Sequence, residues 1–360
     1  MCTLQCEQKS KKISTNFLTQ SIKNYVLGLL ICRSKKNFTN ITSMVKTSYY
    51  FLNIGFDELF ARRKEAQNFL INLVKMHATE ENPGILVIDA TQIKKLYGKK
   101  LKVLCYDHSG SMKAVLKGIS CVVAAWTNGK IVIPLIFDFW VRKKDIKDDR
   151  IYRKKTKISR ELILELKDKI PFLYIALDGD YGNEKFLTFL YKHNLKYSVR
   201  MPSNRKVVID GIEETPKKHL ALKLIRNKRY KKVEGFYKGI PITIVTHKRK
   251  GKKRTKQVVF IVSNIQNLSA REHVKAYACR WPIEKMFRTM KQSLGLEDCQ
   301  SVSTKKQRGH ILAIFLAFAE LETIKISKKK SSPEEVLKII RFQNPFKTNP
   351  LTLLQKGFIM

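Results

Sequence analysis

Apolar runs of strand length recur along residues 85–201 and are separated by turn residues or amphipathic stretches. The run ILVIDAT comes first, and GISCVVAAWT and KIVIPLIFDFW follow it, joined by Asn128-Gly129, a dipeptide typical of a tight hairpin. The amphipathic stretch SRELILELKDKI then precedes FLYIAL, NEKFLTFLYKHN predicts a helix, and LKYSVRM predicts a further strand. Alternation of this kind predicts an α/β protein built around a sheet.

The order of these segments is strand, hairpin, helix, strand, helix, strand, followed by a helix that carries an acid. That order is typical of a ribonuclease-H-like core, in which the first and fourth strands are neighbours. Asp89 ends the first run and Asp178 directly follows the fourth, so the topology predicts that these carboxylates meet. Asp180 competes with Asp178, but it precedes Tyr181-Gly182 and is more typical of a turn.

A third acid, Glu284, lies in the segment YACRWPIEKMFRTMK. At about 100° per residue, Tyr277, Arg280, Glu284 and Lys291 fall within an arc of roughly 60° on one helical face. That face would present a carboxylate beside a phenol, a guanidinium and an ammonium group. Pro282 precedes Glu284 by two residues, so the helix is expected either to restart or to bend there.

Asp89, Asp178 and Glu284 are candidate catalytic and metal-binding residues. Taken singly, each has a plainer interpretation, because an aspartate after a strand is usually a turn residue and a helical glutamate is usually a surface acid. Together they are the donors that two Mg²⁺ ions about 4 Å apart require for phosphodiester cleavage. We expect Asp89 to bridge the two ions. Trp281 could stack on a DNA base, but its helical spacing from Phe287 favours a place in the core.

The charge balance indicates a polyanionic partner. Lys and Arg number 71 against 30 acids, which gives a net charge of +41, and nucleic acid is the expected partner. A Lys-rich genome would account for part of the lysine count but not for the shortage of acids. The sequence shows no Ser/His/Asp set, no Gly-rich phosphate loop and no Cys/His cluster at zinc spacing.

The cysteines and the apolar segments indicate the cellular compartment. The seven cysteines are scattered and form no C-x-x-C pair, which is typical of free thiols in a reducing compartment. No signal peptide is evident, and the apolar run ILAIFLAFAELETIKI predicts a buried helix rather than a membrane span. We therefore expect a soluble protein of the prokaryotic cytoplasm that associates with the nucleoid and not with a membrane.

Four regions are expected along the chain. Residues 1–82 read as basic helices, and a helix-turn-helix-like DNA-binding module is as well supported as a plain helical cap on the core. Within them, ITSMVKTSYYFL predicts one short helix with a polar start, and another helix is expected after Gly55. Residues 83–205 and 265–326 form the predicted catalytic core. Residues 327–360 read as a basic linker, one short helix and a tail.

Residues 206–264 are expected to form a β-rich insertion, because GIPITIVTHKRKGKKRTKQVVFIVSN has two β-like arms around a basic tip. We predict that the tip binds DNA phosphates, although a solvated loop is an equally good interpretation. The candidate DNA-binding residues of the tip are Lys248, Arg249, Lys250, Lys252, Lys253 and Arg254.

The chain resembles the DDE transposases of the YREK group, which is the type of insertion sequence four. The signature of that group is Tyr, two residues, Arg, three residues, Glu, six residues, Lys, and Tyr277, Arg280, Glu284 and Lys291 fit every gap. LVIDATQIKK and LDGDYGNEKFL resemble the segments around the first and second acids of the family. In the second segment an acid stands three residues before Tyr-Gly, which favours Asp178. The resemblance covers about residues 36–326.

The resemblance implies a ribonuclease-H-like fold with a β-rich insertion before the glutamate, dependence on Mg²⁺ with Mn²⁺ as a substitute, and cut-and-paste transposition. Water first cleaves the transposon end, and the freed 3′-hydroxyl then attacks target DNA. In relatives the Tyr, Arg and Lys of the signature hold end phosphates, which implies that role for Tyr277, Arg280 and Lys291. The implied partners are double-stranded DNA, as terminal inverted repeats and as target, and a second copy of the chain in a synaptic homodimer.

Two other functions are compatible with the same residues. One is a metal-dependent nuclease on this fold that cuts DNA without joining it. The other is a transposase-derived DNA-binding protein that has lost activity, although the intact acids argue against it.

Overall fold

A computed structural model of the chain describes residues 16–109, 114–146, 152–224, 228–250 and 256–342. Within these ranges the α-helices are α1 (Gln20–Ile31), α2 (Phe38–Val45), α3 (Tyr49–Ala61), α4 (Arg63–His77), α5 (Lys155–Leu166), α6 (Glu184–Lys192), α7 (Ala270–Ala278), α8 (Trp281–Gln292), α9 (Thr304–Ser327) and α10 (Pro333–Phe342). The strands are β1 (Ile85–Lys94), β2 (Cys105–Ser109), β3 (Ala114–Thr127), β4 (Val132–Trp140), β5 (Ile175–Leu177), β6 (Tyr197–Met201), β7 (Val207–Ile209), β8 (Ile212–Glu214), β9 (Tyr230–Tyr237), β10 (Ile240–Lys250) and β11 (Lys256–Ser263).

One mixed sheet contains all of these strands, in the order β2-β3-β1-β5-β6-β11-β10-β9-β7-β8, with β4 paired to β3. β1 pairs antiparallel with β3 and parallel with β5, and β5 pairs parallel with β6. The path β4-β3-β1-β5-β6 is the ribonuclease-H-like core. The predicted fold class is therefore confirmed: an α/β protein with a mixed sheet and flanking helices.

The predicted strands of the core form as expected. The hairpin turn at Asn128-Gly129 joins β3 to β4, and Gly129 has a φ of 86°, which suits glycine. β2 was not predicted from the sequence, because its residues CYDHS show no apolar alternation. Trp126 is fully buried in β3 and belongs to the core.

The β-rich insertion extends the core sheet. β11 pairs antiparallel with β6, and β10 and β9 continue from β11. The sequence predicted the hairpin β10–β11 but not this continuity. Three of the candidate tip residues, Lys252, Lys253 and Arg254, lie outside the described residues, and Lys250 is described only as part of the β10 backbone.

The N-terminal helices differ from the prediction in their boundaries. The segment expected to form one helix is divided between α2 and α3, since Lys46 adopts a left-handed φ of 50° and ends α2. Ser48 then caps α3 by accepting a hydrogen bond from the Phe51 backbone amide. A helix start after Gly55 is also wrong, because α3 runs through Gly55. A Cβ there would lie 2.9 Å from the Ser21 carbonyl oxygen of α1, so the glycine permits close helix packing.

The N-terminal helices share a core with the sheet. α1 and α3 pack on α9, which in turn packs on β4, and one buried cluster includes Phe56, Trp126 and Phe315. α10, the short helix expected near the C-terminus, packs on α9 and α1. Within the described ranges, none of the helices combines the length and apolarity needed to cross a bilayer.

His310 of α9 links these parts of the fold through two buried hydrogen bonds. It is fully buried, and its Nδ1 lies 2.8 Å from the Tyr25 hydroxyl while its Nε2 lies 3.0 Å from the Gly295 carbonyl oxygen. A carbonyl only accepts, so Nε2–H donates to Gly295 and Nδ1 accepts from Tyr25. Burial lowers the pKa of His310 to about 4, which keeps the ring neutral.

We predict that the neutral His310 makes folding pH-dependent. Its pKa is lower in the folded than in the unfolded protein, so its stabilisation is complete above about pH 6.5 and is lost as pH falls towards 4. The free energy of unfolding should fall by about 2 kcal/mol between pH 7 and pH 5 from this residue. Urea unfolding of the wild type and of His310→Gln at both pH values checks this. Equal pH dependence of the two proteins would contradict it.

Candidate active site

The parallel pairing of β1 with β5 brings two of the predicted acids together. Ile88 is the register partner of Leu177, so Asp89 and Asp178 are each one residue beyond this pair. Asp178 follows the end of β5, as predicted. Asp89 does not end its strand, because β1 continues to Lys94 in register with β3. Asp89 therefore lies in the middle of β1, within the β1–β3 pairing, which is the longest strand pairing in the core.

Glu284 lies in the first turn of α8. α7 ends at Ala278 and α8 begins at Trp281, with Pro282 in its first turn, so the helix restarts. One of the two expected outcomes at Pro282, a restart, is therefore confirmed, and the arc calculated for a single helix from Tyr277 to Lys291 is only approximate. The restart occurs because proline lacks the backbone N–H that a helix interior needs.

Arg280 joins the acids across this break. Its Nη1 donates to Asp89 Oδ2 at 2.9 Å, and its Nη2 donates to Glu284 Oε1. The Arg280 side chain is 9% exposed, against 19% for Asp89 and 34% for Glu284. Asp178 is close enough to contribute to the electrostatics of both Asp89 and Arg280. Two of the three predicted acids thus contact one guanidinium group, and Asp178 lies nearby at the end of β5.

The electrostatics of this cluster reflect partial burial of like charges. Burial raises the pKa of Asp89 to about 6; Arg280 and the Ala90 amide oppose this rise, and the charges of Asp178 and Glu284 add to it. Burial lowers the pKa of Arg280, but the attraction of Asp89 and the neighbouring groups outweighs it, so the pKa stays above its ordinary value. With a pKa of about 6, Asp89 is anionic at neutral pH. An anionic carboxylate is a good ligand for a cation.

The other two residues of the signature lie on either side of Arg280. Tyr277, at the end of α7, is half-buried, and the Arg280 guanidinium carbon lies 6.0 Å from its ring centroid. Lys291 is half-buried near the end of α8, where burial and the neighbouring Lys94 lower its pKa. α8 packs on β1, so its first turn lies beside Asp89 and its last turn near the end of β1.

Sequence reasoning missed Arg200 on β6. Leu177 pairs with Val199, so Arg200 lies next to Asp178 at the same edge of the sheet, and its side chain lies close to Gly179. It also contributes to the electrostatics of Tyr277. The available signal was that the carboxyl ends of parallel strands meet at one edge, which brings the end of LKYSVRM beside Asp178.

The expectation that Trp281 lies in the core is wrong. Its side chain is 52% exposed at the start of α8, although helical spacing from Phe287 favoured a place in the core. Phe287 is buried. The first residue of a helix can project beyond the packed face, which a periodic pattern does not reveal.

The basic hairpin lies on the same side of the sheet as Asp178. From the pair Arg200–Ile261, β11 and β10 continue beyond the carboxyl end of β6 towards Arg249. Arg249 is exposed and donates to the Gln257 side chain, while Lys248 is half-buried. The hairpin thus extends from the edge of the sheet that carries the acids. Among the described residues, no interaction joins Arg249 to those acids.

The donor chemistry of the three carboxylates suits a hard divalent cation, since all the donors are oxygen. Among the residues that the structure describes, no group of three or more His, Cys, Asp or Glu side chains converges closely enough to hold a metal ion. The Arg280 guanidinium lies between Asp89 and Glu284 and supplies the positive charge there. The residues therefore fit a cation by their chemistry, with Arg280 as its competitor.

Comparison with known proteins identifies the family. No curated protein matches the chain significantly. A sequence model of the transposase DDE domain matches residues 81–319, about two thirds of the chain, and this segment includes all three acids and Arg280. Together with the ribonuclease-H-like sheet, this match shows that the chain belongs to the transposase DDE domain family.

Proposed function

We propose that this transposase belongs to the YREK group and cleaves DNA at the ends of its insertion sequence in a Mg²⁺-dependent reaction, then joins the freed 3′ ends to target DNA. The observation that supports this proposal is the contact of Arg280 with both Asp89 and Glu284, with Asp178 one residue beyond the β1–β5 pairing that also carries Asp89. Residues so far apart in the chain have no structural need to bring three carboxylates together, so a catalytic use is the better explanation.

Asp89, Asp178 and Glu284 are the proposed ligands of two Mg²⁺ ions, for which Mn²⁺ can substitute. When bound, such ions activate the attacking hydroxyl group and stabilise the charge on the leaving oxygen. Asp89 is the proposed bridging ligand, because it extends from the central strand and is the most buried of the acids that Arg280 contacts. The chain itself holds these oxygens on rigid strand and helix backbone, which limits their movement.

Arg280 has two proposed roles. In the DNA-free protein it neutralises Asp89 and Glu284 and so lowers the repulsion among the acids. When DNA binds, the guanidinium holds a phosphate of the transposon end, as the resemblance implies, and leaves the two carboxylates to a metal ion. A planar guanidinium suits both partners, because it forms paired hydrogen bonds to carboxylate and to phosphate alike.

The remaining DNA contacts extend on both sides of the acids. We propose that Tyr277, Lys291 and Arg200 bind phosphates near the scissile bond and that the exposed Trp281 stacks on a base. The hairpin tip, which includes Lys248, Arg249, Lys250, Lys252, Lys253 and Arg254, is a proposed phosphate contact farther along the duplex.

We also propose the wider organisation of the reaction. Two copies of the chain hold two transposon ends in a synaptic homodimer, in the cytoplasm of a prokaryotic cell. Residues 1–82 are the proposed DNA-binding module, residues 83–205 and 265–326 the catalytic core, residues 206–264 the basic insertion and residues 327–360 the C-terminal tail.

We predict that Asp89→Asn, Asp178→Asn and Glu284→Gln each lower the rate of end cleavage by on the order of 10³-fold or more, because each removes a metal ligand. Binding of the end duplex should remain. Cleavage of a labelled duplex containing the terminal repeat, with Mg²⁺, measures the first effect, and fluorescence anisotropy measures the second. Asp180→Asn is the matched control and should cleave normally.

Normal cleavage by one of the three variants would remove that residue from the site. The same assay separates the competing functions when precut ends and a target plasmid are supplied. Joined products require a transposase, whereas cutting without joining indicates the nuclease. Binding with no nicking at all would indicate the inactive DNA-binding protein.

We predict that Arg280→Gln binds Mn²⁺ more tightly than the wild type in the absence of DNA, by about tenfold, since no cation then competes for Asp89 and Glu284. Titration followed by electron paramagnetic resonance measures this affinity at pH 8, which is above the pKa of about 6 that Asp89 has in the wild type. Arg288→Gln, at an exposed position of the same helix, is the control and should bind as the wild type does. An unchanged affinity in Arg280→Gln would exclude the proposed competition.

We predict that Lys291→Ala flattens the salt dependence of end binding. The slope of log K against log salt concentration should fall by about 0.9, the value for one lost phosphate contact. Lys285→Ala removes an exposed lysine from another face of the same helix and should change the slope less. Equal slopes for wild type and Lys291→Ala would mean that Lys291 does not contact phosphate.

A further inference from the structure

Residues 95–104 connect β1 to β2. They include Tyr97, which is more exposed than any other large apolar or aromatic side chain in the described ranges. Tyr97 is 93% exposed, and the preceding Leu96 is 50% exposed. Lys99 and Lys100 follow and are also exposed. The segment contains no acid. We call residues 96–100 the Tyr97 loop.

The Tyr97 loop is built on a fixed base. The Lys95 backbone amide donates to the Lys117 carbonyl of β3, and the Lys95 ammonium donates to the Glu297 and Cys299 carbonyls. On the other side of the loop, Leu101 and Leu104 are buried. These contacts hold both ends of the loop against the core, so its tip extends into solvent from a rigid support. The Tyr97 side chain, at 93% exposed, therefore does not pack against the core.

The position of the loop relative to the acids follows from β1. Asp89 and Lys94 are separated by five residues of continuous strand, or about 16 Å. α8 runs along the same strand, with Glu284 beside Asp89 and Lys291 near Lys94. A line from the acids through Lys291 and Lys94 therefore leads to the Tyr97 loop.

We propose that the Tyr97 loop binds the duplex that carries the scissile phosphate, about five to eight base pairs from the cleaved bond. Lys99 and Lys100 contact backbone phosphates, and the Tyr97 ring lies against the sugars or base edges. The charge of the loop matches a polyanion, and an exposed phenol combines an apolar face with a hydrogen-bonding group. This inference rests on the proposed function for the location of the cleaved bond.

The alternative occupant of a basic, aromatic loop is an acidic protein surface, including that of a second copy of this chain. DNA is the better match, because the loop continues the line of Lys291 and Lys94, and this chain with a net charge of +41 has few acids to offer to itself.

The test is the double variant Lys99→Ala, Lys100→Ala, measured on the full chain with a duplex that contains the terminal repeat bordering the gene. The slope of log K against log salt should fall by about 1.8, because two phosphate contacts are lost. Hydroxyl-radical footprinting of the same complex should lose protection about five to eight base pairs from the cleaved bond and retain it elsewhere.

The matched control replaces Lys130 and Lys169 with alanine. Both are exposed and lie outside the proposed DNA-binding module, at the opposite end of β1, where the Trp126 indole N–H donates to the Pro83 and Pro171 carbonyls. The control changes the net charge equally but should leave the footprint intact. An equal loss of slope in both double variants would reduce the effect to net charge and overturn the proposal.

Tyr97 is tested separately. Tyr97→Ala should weaken binding by on the order of fivefold, and Tyr97→Phe should bind as the wild type does, because the ring makes the contact. A Tyr97→Ala variant that binds DNA normally but no longer forms dimers would assign the loop to a protein interface instead. Cleavage by the wild type is scored in parallel: its failure refutes the proposed function, whereas unchanged slopes and footprints refute only the loop contact.

Discussion

The interaction on which the site depends is the pair of ionic hydrogen bonds from Arg280 to Asp89 and Glu284. Burial is the main cause of the raised pKa of Asp89, and repulsion from Asp178 and Glu284 adds to it. A cation between these carboxylates lowers the repulsion. Because Arg280 lies in the two-residue break between α7 and α8, its guanidinium reaches Asp89 on the sheet while Glu284 stays in the first turn of α8. The helix break is therefore part of the site.

The sheet provides the other half of this arrangement. A parallel neighbour is required to bring Asp178 beside Asp89, and the β1–β5 pairing is short, with three register pairs. The burial of β5 on both sides compensates for its length, since all three of its residues are completely buried. The same edge carries Arg200 from β6. Two negative groups and one positive group thus lie along the carboxyl ends of three adjacent strands, where α/β sheets commonly bind ligands.

The core strands and the proximity of Asp89 to Asp178 could be predicted from the sequence. The extent of β1 and the contacts of Arg280 could not, for physical reasons. Apolar runs and the Asn128-Gly129 turn identified the core strands, and the order of elements implied that Asp89 and Asp178 meet. The extent of β1 was missed, because Thr91 and Gln92 look like loop residues yet are buried and pair with β3. The contact of Arg280 with Asp89 joins residues 191 positions apart, which no local pattern encodes.

The continuity of the sheet has a mechanical consequence. Because β11 is hydrogen-bonded to β6, the hairpin β10–β11 and the strand next to Asp178 form one stiff body rather than two parts joined by a linker. A DNA duplex bound at the far end of that hairpin, as proposed, cannot rotate freely relative to Asp178. Its approach angle is set by the accumulated twist from β5 to β10, roughly 60–75° over three strand pairs.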